Sequence, residues 1–304
     1  MGAGSKRTEI GYLLVFCAAT LWALLGVFSQ RLLIVGVSAL EIAFWRAAIA
    51  GVVFVIHAGL TSGLRLRRPA DLLAFTAFAL VGVTLFYAAL NLAIGAGGVS
   101  LAFVLLYTAP AFVAVLAAIF LGERLTGGKV ALVCLSILGV ALVSSAGGEG
   151  VTPTWQAVAW GLTAGASYSS YYLFGKWALR TYTPVTVFAY VMPIGALGLL
   201  PFVDFTALTV GSSALWLDII PMALLSTYLA YLVYYTGLRN IEASRAVLVA
   251  TVEPVLAALF AAVLFGERLS ALGVLGAALV LSAAVGAATL RRGPRRADGP
   301  AGQA

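Results

Sequence analysis

Apolar segments long enough to cross a membrane follow one another along almost the whole chain. A helix needs about 20 mainly apolar residues to cross roughly 30 Å of hydrocarbon. Short breaks rich in glycine, proline and basic residues separate the segments. Their approximate ranges are 10–29, 38–57, 71–92, 98–121, 129–146, 156–175, 184–203, 213–237, 244–265 and 271–290. The pattern predicts an all-α integral membrane protein with ten transmembrane helices.

One stretch of the chain occurs twice. Residues 107–125 align without a gap with residues 251–269, at an offset of 144, and eight of the 19 positions are identical. Each copy contains a proline near the middle of its span, Pro110 or Pro254, and each ends in Gly-Glu-Arg-Leu. A duplication in so apolar a chain is typical of membrane proteins built from repeats. We therefore expect two units of five helices each, over 8–146 and 155–290.

The basic residues predict the orientation. With the N-terminus inside, 15 of the 18 lysines and arginines fall on the cytoplasmic side, as the positive-inside rule requires. Five spans separate the two Gly-Glu-Arg-Leu copies, so one copy lies inside and the other outside. The halves are then inverted repeats, and both termini are cytoplasmic. Residues 291–304 contain four arginines together with glycine and proline, and we expect a disordered cytoplasmic tail there.

Composition agrees with a membrane protein and excludes several other classes. Hydrophobic residues make up 62% of the chain and charged residues 10%, against roughly a quarter charged in soluble proteins. The net charge of +7 is spread over the breaks between spans, so no nucleic-acid partner is expected. Cys17 and Cys134 both lie in apolar runs and predict neither a disulfide framework nor a metal site. No cofactor is predicted, and the chain has no P-loop signature for ATP.

Several motifs together resemble a known family. They are the two proline-containing spans with their Gly-Glu-Arg-Leu ends, the first-span run Ala-Thr-Leu-Trp-Ala-Leu-Leu-Gly at 19–26, and Arg46 within Phe-Trp-Arg-Ala. In order and spacing they resemble the drug/metabolite transporter (DMT) superfamily, EamA type, over residues 8–290. The sequence departs from that pattern at Ala23, where the family has glycine after tryptophan, and at Tyr171 and Tyr172 in the sixth span.

This resemblance implies a function. It implies alternating-access transport of small metabolites, often amino acids or their derivatives and often outward, by a multi-pass protein of the bacterial inner membrane. The expected partners are a small-molecule substrate and the lipid bilayer, with proton coupling as a candidate energy source. The direction of transport, the coupling ion and the oligomeric state stay open at this point.

Glu253 is an acid inside a predicted span. A carboxylate near the bilayer centre costs about 3 kcal/mol on insertion scales, so something must offset that cost. Glu253 is therefore a candidate for proton coupling or for pairing with a substrate amine. The alternative is a neutral, hydrogen-bonded acid beside Pro254. Pro110 and Pro254 themselves are expected to kink their helices and free a backbone carbonyl, either for the transport path or for purely structural reasons.

Arg46 is a basic residue deep inside a predicted span. It lies eight residues into the second span, roughly 12 Å below the outer end. A guanidinium suits a substrate carboxylate, because its fork of donors matches the two oxygens. Alternatively, Arg46 pairs with Glu253 or with Glu41, which is close to the outer boundary and could itself be solvated.

Tyrosines recur at helical spacing in two spans, at 168, 171 and 172 and at 228, 231 and 235, and each set shares one helix face. Trp22 begins a similar stripe. Tyr87 and Asn91 occupy the repeat positions of Tyr231 and Tyr235, so symmetry predicts a common central cavity. Such stripes are also typical of helix packing. The candidate substrate-binding residues are Trp22, Arg46, Tyr87, Asn91, Tyr168, Tyr172, Tyr231 and Tyr235.

The sequence thus predicts a secondary transporter, an exporter of small organic metabolites related to amino acids. The alternatives are a passive channel or facilitator and a nutrient importer. An intramembrane enzyme is not expected, because the spans offer no nucleophile with a base, no paired acids and no metal ligands. The lone histidine, His57, ends its span on the cytoplasmic side and is expected to be interfacial rather than a proton relay.

Overall fold

The computed structural model describes residues 3–61, 63–145, 154–205, 215–265 and 270–289. Within those ranges the chain is all-helical apart from short connections, and nine helices are long and apolar enough to cross a membrane. The prediction of a multi-pass helical membrane protein is therefore confirmed. The second Gly-Glu-Arg-Leu copy, 266–269, and the predicted tail, 291–304, lie outside the described residues.

The helices of the N-terminal part include two crossings built from more than one segment. A π-helical segment, Ala79–Leu85, joins α3 to α4 and makes them one continuous crossing. A turn at Tyr107 and Thr108 separates α5 from α6 within another crossing. The helices are α1 (Ala3–Ile34), α2 (Ala39–Leu60), α3 (Asp71–Phe78), α4 (Phe86–Gly97), α5 (Val99–Leu106), α6 (Ala109–Phe120) and α7 (Gly127–Ser145).

The C-terminal part has the same order of elements. A second π-helical segment, Leu224–Leu229, joins α10 to α11, and a break at 251–252 separates α12 from α13. Adding 144 to the bounds of α5 and α7 reproduces those of α12 and α14. The helices are α8 (Trp155–Ala178), α9 (Pro184–Leu199), α10 (Trp216–Ala223), α11 (Ala230–Leu238), α12 (Ala243–Ala250), α13 (Glu253–Phe265) and α14 (Ala271–Thr289).

Local sequence explains where several helices begin. Side-chain oxygens of Ser38, Thr154 and Thr183 accept hydrogen bonds from the backbone three residues later, which caps the starts of α2, α8 and α9. These caps satisfy amide groups that have no partner inside the helix. Pro184 follows its cap directly, at the first helical position, where a missing N–H costs nothing.

Helix α8 differs from the nine apolar crossings. It has 24 residues, which is long enough to span the bilayer, but it does not reach their hydropathy. Its polar side chains Ser167, Ser169 and Tyr171 are buried. The helix packs against α4, α5 and α6, so protein rather than lipid covers these groups. This is why a helix in the position of the sixth predicted span can be more polar than the others.

The first helix of each half packs against the other half. Helix α1 lies against α11, α12 and α13, whereas α8 lies against α4, α5 and α6. The largest hydrophobic cluster accordingly combines buried side chains from both parts, such as Val15 and Phe54 with Phe188 and Leu238. Neither half therefore completes its core alone.

Helices α7 and α14 approach each other closely through glycine. A Cβ atom on Gly276 would lie 2.5 Å from the carbonyl oxygen of Gly139 and 2.7 Å from the amide nitrogen of Val143. Both neighbours are backbone atoms, which cannot rotate away. Small residues at such contacts allow the helix backbones to pack against each other in lipid.

Gly276→Ala is therefore expected to destabilise the protein by about 1–3 kcal/mol, the usual cost of forcing extra volume into a packed contact. The measurement is the melting temperature in detergent. Gly95→Ala is the matched control, since a Cβ there would meet nothing within 4 Å. Equal melting temperatures for the two variants would contradict the close contact between α7 and α14.

Candidate functional site

A cavity of about 100 Å³ lies where the two halves meet. Helices α1, α2, α4, α5, α8, α11 and α13 all contribute to its wall, so it belongs to neither half alone. It adjoins both interrupted crossings, because Tyr107 lies in the first break and Glu253 directly follows the second. The lining residues are Trp22, Leu25, Arg46, Phe86, Tyr87, Leu90, Phe103, Leu106, Tyr107, Tyr168, Tyr231 and Glu253.

Arg46 is buried at this cavity and held from two sides. Its Nε donates a hydrogen bond to the hydroxyl of Thr227 at 3.0 Å, and its Cζ lies 5.3 Å from the centre of the Tyr87 ring. The second contact is a cation–π interaction. Within the described part of the chain, its terminal amino groups make no hydrogen bond. The guanidinium is therefore fixed in place with two donor groups still available.

Glu253 is the first residue of α13, so its carboxyl group lies at a helix N-terminus inside a membrane crossing. The unsatisfied amide groups and the helix dipole at such a terminus stabilise a negative charge. The hydroxyl of Tyr107 and the guanidinium of Arg46 both lie near this carboxyl group at the cavity wall. Of the two acids considered as partners of Arg46, Glu253 is the one that shares its cavity. Glu41 is fully buried, contrary to the alternative of a solvated acid.

The sequence predicts that Pro110 and Pro254 kink continuous helices, but the structure shows no continuous helix at either position. The crossings are already interrupted before them, and each proline is the second residue of a new helix, α6 or α13. In the first helical turn the amide has no intrahelical partner, so proline fits there without removing a hydrogen bond. Each proline thus lies next to an interruption of its crossing. The interruption is a break between two helices rather than a kink within one helix.

Three of the candidate binding residues do not line the cavity. Tyr172 lies behind it and donates a hydrogen bond from its hydroxyl to that of Tyr168 at 3.3 Å. The Tyr235 hydroxyl donates to the carbonyl oxygen of Tyr171 at 2.9 Å, and its ring packs against Phe188. Asn91 is half-buried, one turn beyond the cavity residue Tyr87. A shared helix face is wider than the cavity, so part of each stripe serves packing.

The structure also adds residues that the sequence analysis does not identify. Thr227, which holds Arg46, lies four residues before Tyr231 on the same helix face, and this spacing is a signal that could have identified it. Tyr107 lies two residues before the start of α6, the helix that contains Pro110. The apolar lining residues carry no distinguishing signal in a chain that is 62% hydrophobic. They are Leu25, Phe86, Leu90, Phe103 and Leu106.

Trp22 brings an additional donor to the cavity wall. Its ring packs against Tyr231 and Tyr234, with centroid distances of 5.4 and 5.1 Å. The indole Nε1 is buried, and among the described residues it has no hydrogen-bond acceptor. A buried donor without an acceptor is costly and uncommon in folded proteins. Trp22 therefore lines the cavity with an indole N–H that has no acceptor within the described part of the protein.

A cavity with opposite charges, placed between interrupted membrane helices, is an arrangement that membrane transporters use for substrate binding. The comparison with known families gives the same class. The chain belongs to the EamA-like transporter family, whose sequence pattern matches residues 9–145 and, a second time, residues 155–289. Family membership confirms a multi-pass membrane transporter and indicates that the chain is not an enzyme.

Individual relatives agree with this assignment. An uncharacterized transporter of Archaeoglobus fulgidus is 31% identical over 245 residues, which cover 80% of this chain and 86% of the relative. A probable terminal-alkyne amino-acid exporter of Streptantibioticus cattleyicolor is 32% identical over 200 residues, covering 62% and 64% respectively. A protein of known crystal structure superimposes with a TM-score of 0.74 at 21% identity, over 93% of this chain and 96% of that one. At that identity, the superposition shows the fold alone.

Proposed function

We propose that the protein exports amino acids or closely related metabolites by alternating access, with Arg46 and Glu253 as the charged groups of the transport site. The observation that carries this proposal is the presence of a guanidinium and a carboxyl group in one largely aromatic cavity. An α-amino acid has the complementary pair, a carboxylate and an ammonium group, joined through one carbon atom. The relative described as a probable amino-acid exporter supports the same substrate class.

The cavity wall suggests a role for each group. The terminal amino groups of Arg46 are suited to the two oxygens of the substrate carboxylate, and Glu253 is suited to its ammonium group or to a transported proton. The indole N–H of Trp22 would gain an acceptor from a bound substrate. Tyr87, Tyr168 and the neighbouring apolar side chains would then cover the remainder of the substrate.

The architecture we propose is ten transmembrane helices in two inverted repeats, over 8–146 and 155–290. The recurrence of helix bounds at an offset of 144 supports it, as do the exchanged packing of α1 and α8 and the two separate family matches. Helix α8 supplies the tenth crossing. The distribution of basic residues supports a cytoplasmic location for both termini.

Transport by this architecture requires movement of the halves. The cavity of about 100 Å³ is smaller than the roughly 300–1,000 Å³ of ordinary ligand pockets, and residues of both halves line it. A change in the relative position of the halves would therefore enlarge the cavity for a substrate. The breaks at 107–108 and 251–252 are suited to act as hinges, because helix-terminal residues absorb changes in backbone angles.

Counterflow in proteoliposomes tests this proposal. Vesicles preloaded with an unlabelled amino acid should transiently accumulate the labelled compound above its external concentration. A carrier shows this behaviour because internal substrate drives the return of the loaded site. A panel of amino acids and related metabolites identifies the substrate class, and vesicles without protein are the control. Uptake that never exceeds equilibration would indicate a passive channel instead, and no uptake across the panel would reject the amino-acid assignment.

A further inference from the structure

Helix α12 begins without a capping side chain of its own. Its N-cap residue, Glu242, makes no capping hydrogen bond with its side chain. Glu123 provides that cap instead, from a position about 120 residues earlier in the chain. Its Oε1 accepts from the amide of Ala243 at 2.7 Å, and its Oε2 accepts from the amide of Ser244 at 3.3 Å and from the Ser244 hydroxyl.

The turn after α6 aims Glu123 at this helix start. Gly122 ends α6 with a φ of +68°, a left-handed conformation that glycine adopts readily. The amide of Glu123 then donates to the carbonyl oxygen of Ala117 at 3.1 Å, which fixes the turn. The first two residues of the Gly-Glu-Arg-Leu motif thus have separate tasks. Gly122 reverses the chain, and Glu123 reaches across to the second half.

Ion pairs reinforce the same contact. Lys129 of α7 is buried, and its Nζ lies 2.9 Å from Glu242 and 3.5 Å from Glu123. Arg245 pairs with Glu242 at 2.9 Å and donates to the Tyr12 hydroxyl at 3.3 Å. Burial alone would raise the pKa of Glu242, but the bonds from Lys129 and Arg245 outweigh it and lower the pKa. The charges at this end of the molecule therefore tie the first half to the second.

The capped helix leads directly to the cavity. Helix α12 has eight residues, so about 12 Å separates its capped start from its end. The break at 251–252 follows, and Glu253 of the cavity comes next. A displacement of the start of α12 is therefore transmitted to Glu253 through one short, rigid element. Lys129, Glu242 and Arg245 lie on the side that the basic residues assign to the cytoplasm.

We propose that Glu123 is a positioning residue for transport, forming a cytoplasmic latch that holds the two halves together and must release α12 when the cavity opens inward. This inference rests on the proposed alternating-access function. A carboxylate with three hydrogen bonds and a nearby ammonium group stabilises the closed arrangement more than a neutral side chain would. The latch residues are Glu123, Lys129, Glu242 and Ser244.

The test follows the accessibility of a buried reporter cysteine. Cys17 and Cys134 are first replaced by alanine, and Val247→Cys then places a thiol in α12, where Val247 is 1% exposed. The protein is reconstituted in nanodiscs and treated with a hydrophilic maleimide. Glu123→Gln is expected to raise the labelling rate about tenfold, the effect of removing a charged hydrogen-bond partner. Ser244→Ala, which removes one donor and no charge, should raise it less.

Two controls separate a latch from a loosened fold. Val37→Cys reports from the connection between α1 and α2, on the predicted outer side. Val37 is also 1% exposed, and its labelling should fall or stay unchanged in the Glu123→Gln protein. Asp218→Asn makes the same acid-to-amide change in the ion pair with Arg31 and should not raise labelling at 247. Equal increases at both reporters, with a lower melting temperature, would mean that Glu123 serves stability only.

The outcome is independent of the transport assay. Labelling needs no substrate, so a protein that shows counterflow but no change at 247 in either latch variant overturns the latch and leaves the proposed function standing. Increased labelling at 247 in a protein without counterflow supports the contact as a latch while rejecting amino-acid transport.

Discussion

Arg46→Lys is expected to reduce amino-acid transport about 100-fold. Lysine keeps the positive charge but loses the planar fork that can hold both oxygens of a carboxylate, and it also loses the Nε bond to Thr227. Hydrogen bonds to charged groups contribute about 1.5–3 kcal/mol each, which gives a change of this size. Counterflow kinetics in proteoliposomes measure the effect, and most of it should appear as a raised KM.

Arg31→Lys is the matched control for this variant. Arg31 is a mainly exposed arginine that pairs with Asp218 at 3.1 Å and does not line the cavity. Exposed ion pairs contribute little, so transport should stay within about twofold of the wild-type rate. Transport by Arg46→Lys at the wild-type KM would show that Arg46 does not bind the substrate carboxylate. The role of Arg46 would then be to balance the negative charge of Glu253.

Glu253→Gln is expected to abolish the response to an imposed pH gradient, with gradient-driven accumulation falling at least tenfold. Glutamine keeps the shape of the side chain, but it cannot take up or release a proton. Exchange of substrate for substrate needs no net proton movement, so counterflow should continue at a rate within several-fold of wild type. The same vesicles measure both activities, with and without the gradient.

The pH dependence of KM distinguishes the two roles of Glu253. If Glu253 pairs with the substrate amine instead of carrying a proton, Glu253→Gln raises KM at every pH and the gradient response remains. Glu41→Gln is the matched control, because Glu41 is a fully buried acid in a crossing that also contributes to the cavity. It should keep the pH response, and loss of that response in both variants would point to a general effect of removing buried charge.

The sequence determined the membrane class and the order of the helices. Apolar runs of about 20 residues have few stable alternatives to a membrane helix, because backbone polar groups must be satisfied inside the bilayer. The offset of 144 between the two copies of the proline-containing span also anticipated where equivalent helices would begin and end. Arg46 and Glu253 could be selected for the same reason, since buried charge in a crossing is costly and therefore informative.

Only the tertiary structure decided which of these residues meet. Tyr231 lines the cavity and Tyr235 does not, although they lie one turn apart on one helix face, because the packing of α8 and α9 covers the second ring. The Thr227 contact with Arg46 and the Glu123 contact with α12 join segments more than 100 residues apart. Periodicity reports the face of a single helix, whereas these contacts depend on how helices of opposite halves pack together.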